Sequence, residues 1–229
     1  MKGIIFDKDG TLMQIAPFWI PVTRAVFRQF AAECADSAAC LRELEADLSA
    51  PVGMSSLFSG TYGMLAASLS ACLARYGGPA VTEADVTRAF ARHRGCGRVL
   101  PTVPNLPVVL AALRENGAHL FLVTTDAPAS AAYCLARLGV SHLFDGLYGD
   151  DGVHPPKPDP AVAHMIAARI GARPADLLMV GDSVTDMRFA HRAGMCAVCV
   201  GDDGAAAAEG DVRLTDVSKL EQYIKEKKS

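Results

Sequence analysis

The sequence predicts an α/β protein: a parallel β-sheet core with helices on both faces, carrying one inserted α-helical block. Three observations lead there. Short apolar runs with strand character recur through the second half of the chain, helix-like segments separate them, and a glycine follows each of those helices. Strand and helix repeated in alternation imply parallel strands joined by helical crossovers. The alternation breaks once, between residues 13 and 98, where amphipathic helical patterning continues without a convincing strand. The 229 residues, 51% hydrophobic and 21% charged, suffice for one large domain or a domain with a sizeable insertion, and exclude global disorder.

Residues 3–7 open the chain as the first strand, an apolar run ending in Asp7. The helical block then shows amphipathic stretches at 21–34, 39–48, 65–76 and 83–93. Residues 48–74 contain no charge and are long enough to cross a bilayer. Pro51, Gly53, Gly60, Gly63 and six serines interrupt them, however, so this stretch reads as helix end, loop and helix start. The alternating pattern resumes with a helix at 106–116 closed by Gly117, a strand at 119–125, a helix at 128–138 closed by Gly139, and a strand at 143–148. A helix at 160–170, a strand at 177–182, a helix at 184–193, and strands at 196–200 and 212–214 complete a Rossmann-like sheet. Residues 205–208 read as a loop and 225–228 as a solvated terminus. The expected division is a core of 1–12 with 99–229 and a helical domain of 13–98.

Charge and cysteine usage narrow the partners. With 22 Lys and Arg against 25 Asp and Glu, net −3, the chain has no broad basic surface for phosphate backbones or anionic lipid. No nucleic acid and no membrane are therefore expected as partners. The seven cysteines are scattered, without Cys/His zinc spacing. Cys196 and Cys199 have C-x-x-C spacing, but positions three apart on a strand face opposite ways, and all seven read as reduced, mostly buried thiols. The four uncharged residues between Lys2 and Asp7 leave no room for a signal-peptide apolar region, so a cytoplasmic location is expected.

The chemistry concentrates at strand ends. The first strand runs into Asp7-Lys8-Asp9-Gly10-Thr11, and two carboxylates two residues apart point to one side if the chain stays extended. A polar Asp-Gly turn is the alternative. A D-x-D-G-T string arises by chance in a chain of this length on the order of one time in a thousand. The 119–125 strand ends in Thr124 and Thr125; Lys157 stands between Pro156 and Pro158 before a helix; Gly181-Asp182-Ser183 precedes another helix bearing Asp186. Singly these fit β-branched strand residues, a solvated loop lysine and helix caps. Asp186, four residues beyond Asp182, faces the same side of the first helical turn. Every one of these positions falls at a strand carboxyl end or the loop beyond, where open α/β sheets bind ligands.

In order and spacing, the D-x-D-G-T string at Asp7, the strand ending in Thr124, the Pro-flanked Lys157 and the G-D-S-x-x-D string of Gly181 to Asp186 resemble the four motifs of the haloacid dehalogenase superfamily. Gly149-Asp150-Asp151 and Leu100-Pro101 look most like its phosphoglycolate phosphatase subgroup. That subgroup usually has an acidic and a small polar residue soon after the first motif; here Gln14 and Ile15 follow Met13.

The resemblance implies a phosphatase for a small phosphorylated metabolite, phosphoglycolate-like or a sugar phosphate. Asp7 would attack phosphorus, and Asp9 would protonate the leaving oxygen and then activate water. Thr124, Thr125, Lys157 and Gly10 would bind the phosphoryl group. Mg2+ would be held by Asp7, the Asp9 main-chain carbonyl and Asp182, with Asp186 steadying a ligand of the metal. Lys8 fills the variable position and is assigned no side-chain role.

The residue types suit that chemistry. A carboxylate attacking a phosphate dianion needs compensating positive charge, which a hard cation and Lys157 supply. By the same resemblance, the helical block is a cap that closes over the site and selects the substrate. Within it, the uncharged segment 52–62, with Ser55, Ser56, Ser59, Thr61 and Tyr62, either faces the leaving group or is a structural turn. Arg92, His93, Arg94 and Arg98 form either a solvated helix end or an anion-capturing patch. Phe18 and Trp19 are expected to pack the block's own core.

Two other readings remain: a phosphosugar mutase sharing the motifs, and a phosphorylation-switched receiver domain. Asp7 on the first strand and the long helical insertion count against the receiver. Monomer and homodimer are both compatible with the sequence.

Overall fold

A computed structural model describes residues 1–48 and 61–228. The chain divides into two compact units, Met1–Gln14 with Val99–Ser229 and, between them, Ile15–Arg98. The first division falls after Gln14 because Met13 bridges Pro101 and the Gln14 N–H donates to the Leu100 carbonyl (2.9 Å).

In chain order the first unit opens with β1 (Gly3–Phe6), and the second contains α1 (Ile15–Ala31), α2 (Ser37–Leu48), α3 (Tyr62–Arg75) and α4 (Glu83–His93). The first unit resumes with α5 (Leu106–Glu115), β2 (His119–Val123), α6 (Pro128–Arg137), β3 (Gly146–Tyr148), α7 (Ala161–Arg169), β4 (Leu177–Gly181) and α8 (Val184–Ala193). It ends with β5 (Cys196–Val200), α9 (Gly204–Glu209), β6 (Val212–Leu214) and α10 (Leu220–Lys228). The six strands form one parallel sheet in the order β3-β2-β1-β4-β5-β6. The order reverses beside β1, so the crevice at the carboxyl ends of β1, β2 and β4 is the switch point of the sheet.

The central strands β1 and β4 are continuous apolar runs because both of their faces are buried. Ile4, Phe6, Leu120, Leu122, Leu178 and Val180 pack on one face with residues of α5, α6 and α10. Ile5, Phe121, Val123, Leu177 and Met179 pack on the other with residues of α7, α8 and α9. Each fully buried large side chain contributes roughly 1.5–3 kcal/mol to that core.

The predicted α/β class is the observed one, with local differences that have physical causes. The expected strand at 143–148 shortens to Gly146–Tyr148, because Ser141–Leu143 form a 3-10 turn; Asp145 follows it, its N–H donating to the Leu120 carbonyl (2.7 Å) while its carboxylate accepts from Arg114 (2.8 Å) and the Leu120 N–H (3.0 Å). Residues 205–208, expected as a loop, lie in a helix, Gly204–Glu209, started by Asp203, whose carboxylate accepts from the Ala205 and Ala206 N–H groups. The terminus is solvent-exposed at residues 225–227 as expected, and it is helical, continuing α10. In the helical unit, α1 begins at Ile15 and runs through Pro21 instead of starting there. Pro21 has no N–H to offer the Pro17 carbonyl, and the Arg98 N–H takes that acceptor (3.0 Å). Phe18 is buried in this unit, and Trp19 meets both Phe18 and Phe90 edge to face.

Candidate active site

Four segments of the first unit converge at the switch point. Asp7 follows β1, and its N–H donates to the Val180 carbonyl of neighbouring β4 (2.9 Å), which fixes the backbone where the strand ends. Lys157, from the segment between β3 and α7, donates at 2.6 Å to Asp7 Oδ1 and at 2.6 Å to Asp186 Oδ1. All three side chains are buried. Asp182, just past β4, accepts from the Thr11 hydroxyl (3.2 Å). Ligand oxygens of Asp7, Asp182 and Asp186 lie within 4.8 Å of one another.

Three carboxylates crowd together while the one ammonium bonds only two of them, Asp7 and Asp186, and their protonation equilibria show it. Burial pushes the Asp7 carboxyl up; Lys157 opposes this and Asp186 and Asp9 add to it, with a result of about 7. Burial, followed by repulsion from Asp7 and Asp186, takes Asp182 to about 8. Lys157 moves the other way: burial disfavours its charge, but Asp186 and Asp7 outweigh that and hold its pKa above the usual lysine range. The carboxylates thus repel one another when ionised, and a divalent cation such as Mg2+ at these hard oxygen donors would relieve that repulsion.

Two glycines make the room. Gly10 has φ +81°, and a Cβ there would collide with the Asp182 carboxylate. Its N–H is already given to the Met13 carbonyl (2.8 Å). Gly10 was expected to bind phosphate, but its one donor is used in the turn, and what it contributes is space for Asp182. A Cβ at Gly181 would likewise strike the Asp186 carboxylate.

Asp186 reaches the cluster by a different route from the expected one. Asp182 precedes α8 rather than lying on its first turn, so helical i,i+4 geometry does not place the pair. Ser183 is the N-cap, and the Ser183 hydroxyl (2.6 Å) and N–H (3.1 Å) both donate to Asp186 Oδ2. The Asp186 N–H returns a bond to Ser183 Oγ (3.3 Å). This capping box fixes one oxygen of Asp186 and leaves Oδ1 to Lys157.

Thr124 is buried beyond β2, and its Oγ1 accepts from the Asp126 N–H (3.2 Å); Thr125 is exposed beside it. The extended geometry expected for Asp7 and Asp9 does not persist, because the chain turns after β1: the Leu12 and Met13 N–H groups both donate to the Lys8 carbonyl (3.0 Å each). The Asp9 carboxylate meets the Lys8 ammonium instead (2.9 Å). Lys8, assigned no role from the sequence, is wholly buried, with Asp126 also 2.9 Å away. Strand alternation carried the signal: Lys8 falls on the face of Ile4 and Phe6, where a lysine requires carboxylate partners.

In the helical unit, Ser55, Ser56 and Ser59 lie outside the described residues. Thr61 caps α3 by accepting from the Met64 N–H (3.3 Å), and Tyr62 stacks on Phe90 (5.2 Å between ring centroids). Arg92 donates to Gln29 Oε1 (3.2 Å), and His93 meets the same oxygen (2.9 Å). The seven cysteines are free thiols. No helix among the described residues is long and apolar enough to cross a membrane.

Residues 1–194 match the family model of haloacid dehalogenase-like hydrolases. The chain belongs to this family. This haloacid dehalogenase-like hydrolase is 32% identical over 126 residues to phosphoglycolate phosphatase of Haemophilus influenzae, covering 53% of this chain and 56% of that one. The aligned stretch thus spans about half the length of the curated relatives it matches first. The plasmid phosphoglycolate phosphatase of Cupriavidus necator is 28% identical over 232 residues, covering 95% of this chain and 90% of the relative. In fold, the hydrolase superposes on the crystal structure of a predicted phosphoglycolate phosphatase from Haemophilus somnus with a TM-score of 0.71 at 22% identity, covering 98% of each chain.

Proposed function

We propose that this chain is a magnesium-dependent phosphatase that hydrolyses a small phosphorylated metabolite through an aspartyl phosphate on Asp7. The observation that carries this reading is the buried Lys157 bridging Asp7 and Asp186 beside Asp182. A nucleophilic carboxylate, a fixed cation and a hard-metal donor set then share one crevice.

Asp7 Oδ attacks phosphorus while the ester oxygen departs with a proton from the Asp9 carboxyl, which yields the free alcohol and the acyl phosphate. Asp9, now a carboxylate, takes a proton from water; the hydroxide attacks phosphorus, the Asp7 carboxylate is released and inorganic phosphate leaves. Lys157 and the Thr124 hydroxyl hold the transferring phosphoryl oxygens, with Thr125 at the rim. Asp7, Asp182, Asp186 and the Asp9 carbonyl would hold Mg2+, which when bound neutralises charge on the phosphoryl group. The Ile15–Arg98 unit carries the selection of the leaving group.

A panel of phosphorylated metabolites assayed with and without magnesium tests this. Release of inorganic phosphate only with the metal is expected. An isomerised sugar phosphate as product would mark a mutase, and no turnover on any ester would overturn the reading.

A further inference from the structure

Lys8 links two of the motifs from beneath the site. Its ammonium spans both oxygens of Asp9, 2.9 Å from Oδ2 and 3.1 Å from Oδ1, and lies 2.9 Å from Asp126 Oδ2. Met13 Sδ stands at 4.0 Å. Asp126 is itself buried and held at three points: Oδ1 accepts from the Ala127 N–H (2.8 Å), its N–H donates to Thr124 Oγ1 (3.2 Å), and its carbonyl accepts from the Asp150 N–H (2.9 Å). Lys8 is wholly buried, whereas the Asp9 side chain keeps 24% of its surface. The rigid end of this chain of contacts is Asp126, and the end that reaches solvent is Asp9.

A buried ammonium is costly and persists only where carboxylates repay its lost hydration. One carboxylate would satisfy it. Two, on the ends of different strands, make it a brace: a carboxylate gripped at both oxygens loses the rotamer freedom that an acid–base group at a strand end otherwise keeps.

We propose that Lys8, anchored by Asp126, is a positioning residue that fixes the Asp9 carboxyl for proton delivery to the leaving group. This rests on the reading of Asp9 as the acid–base. It predicts a dependence on the leaving group. Alkyl phosphates release a strongly basic alkoxide and need the proton; p-nitrophenyl phosphate releases a stable anion and does not. Loss of the brace therefore slows attack on alkyl esters, while the first-turnover burst of p-nitrophenolate falls much less.

Four variants are compared in single-turnover kinetics with 3-phosphoglycerol and p-nitrophenyl phosphate: Lys8→Met, Asp126→Asn, the double variant Lys8→Met/Asp126→Leu, and Asp9→Asn. The double variant removes the carboxylate that Lys8→Met strands in the core, and Asp126→Asn is isosteric, so the test survives failure of Lys8→Met to fold. General acid catalysis contributes roughly 10²- to 10⁴-fold, and loss of positioning is expected to forfeit about 10- to 100-fold of it on the alkyl ester, with KM little changed. The burst with p-nitrophenyl phosphate is expected to fall about threefold or less. Equal losses on both esters would show a purely structural role and overturn the proposal. So would unchanged or faster alkyl hydrolysis, which would mean that Lys8 restrains Asp9 unproductively. Asp9→Asn separates the two failures. If it shows the selective loss and the Lys8 and Asp126 variants do not, the positioning role alone falls; if it shows none, the acid–base reading falls and takes the brace with it.

Discussion

Asp182→Asn in chelator-treated protein is expected to stabilise the fold, by an amount that grows with pH. Lys157 bonds Asp7 and Asp186, while Asp182 has the Thr11 hydroxyl as its hydrogen-bond donor and faces the charges of both neighbouring carboxylates. At 4.8 Å, the outer limit of the cluster, each carboxylate pair repels by about 3 kcal/mol at an effective dielectric of roughly 20.

The sign follows from the raised folded-state pKa. Moving from 3.8 to about 8 means that stability is fully present below about pH 4, declines as pH rises, and is lost by about pH 8. At about 1.4 kcal/mol per pH unit the ceiling is roughly 6 kcal/mol. Asp182 is partly solvated, so screening reduces this to on the order of 2 kcal/mol. At about 2–4 °C per kcal/mol, the variant's melting temperature should match wild type near pH 4 and exceed it by roughly 4–8 °C at pH 8, levelling off above. Added Mg2+ should reverse the ranking, raising wild type by about 3 kcal/mol at 100-fold excess over Kd and leaving the variant unmoved. Thermal denaturation from pH 4 to 9, in chelator and in magnesium, measures both. A difference that is constant or shrinks with pH would refute the crowding argument.

Asp7→Asn keeps the side-chain size and removes the attacking charge, so turnover should fall by about four orders of magnitude or more on every ester, with p-nitrophenyl phosphate the simplest readout. Lys157→Met strands two buried carboxylates; a loss of about 3 kcal/mol in urea denaturation at pH 8 is expected, shrinking toward pH 5 as Asp7 takes up a proton. Gly181→Ala drives a methyl against the Asp186 carboxylate, so about 1–3 kcal/mol of stability and the thermal response to magnesium should both be lost.

The fold and the site were legible in the sequence to different depths. Both faces of β1 and β4 are buried, so their apolar runs stood out, and each ended at an acid that the structure places at the switch point. Joining those acids into one cluster needed the resemblance, because Asp7 and Asp186 meet through neighbouring strands far apart in sequence. The short helix α9 was hidden because its start depends on Asp203 alone, and the true beginning of α1 because two prolines mimic a loop. The stacking of Tyr62 depends on Phe90, a partner that no local pattern names.

Lys8 shows why a residue in the variable position of a motif still carries information. Its neighbours Asp7 and Asp9 belong to the reaction, and alternation turns the residue between them toward the core side of the sheet. On most strands that position calls for an apolar side chain. A lysine there is tolerated because Asp126, three residues past the end of the adjacent strand β2, supplies a second carboxylate 2.9 Å from its ammonium. The two residues therefore depend on each other: without Asp126 the Lys8 ammonium loses its buried carboxylate partner, and without Lys8 the buried Asp126 carboxylate loses the cation 2.9 Å from it. Such a pair is a local commitment of this chain, and it holds Asp9 from its buried side, where Lys8 lies, rather than from the solvent.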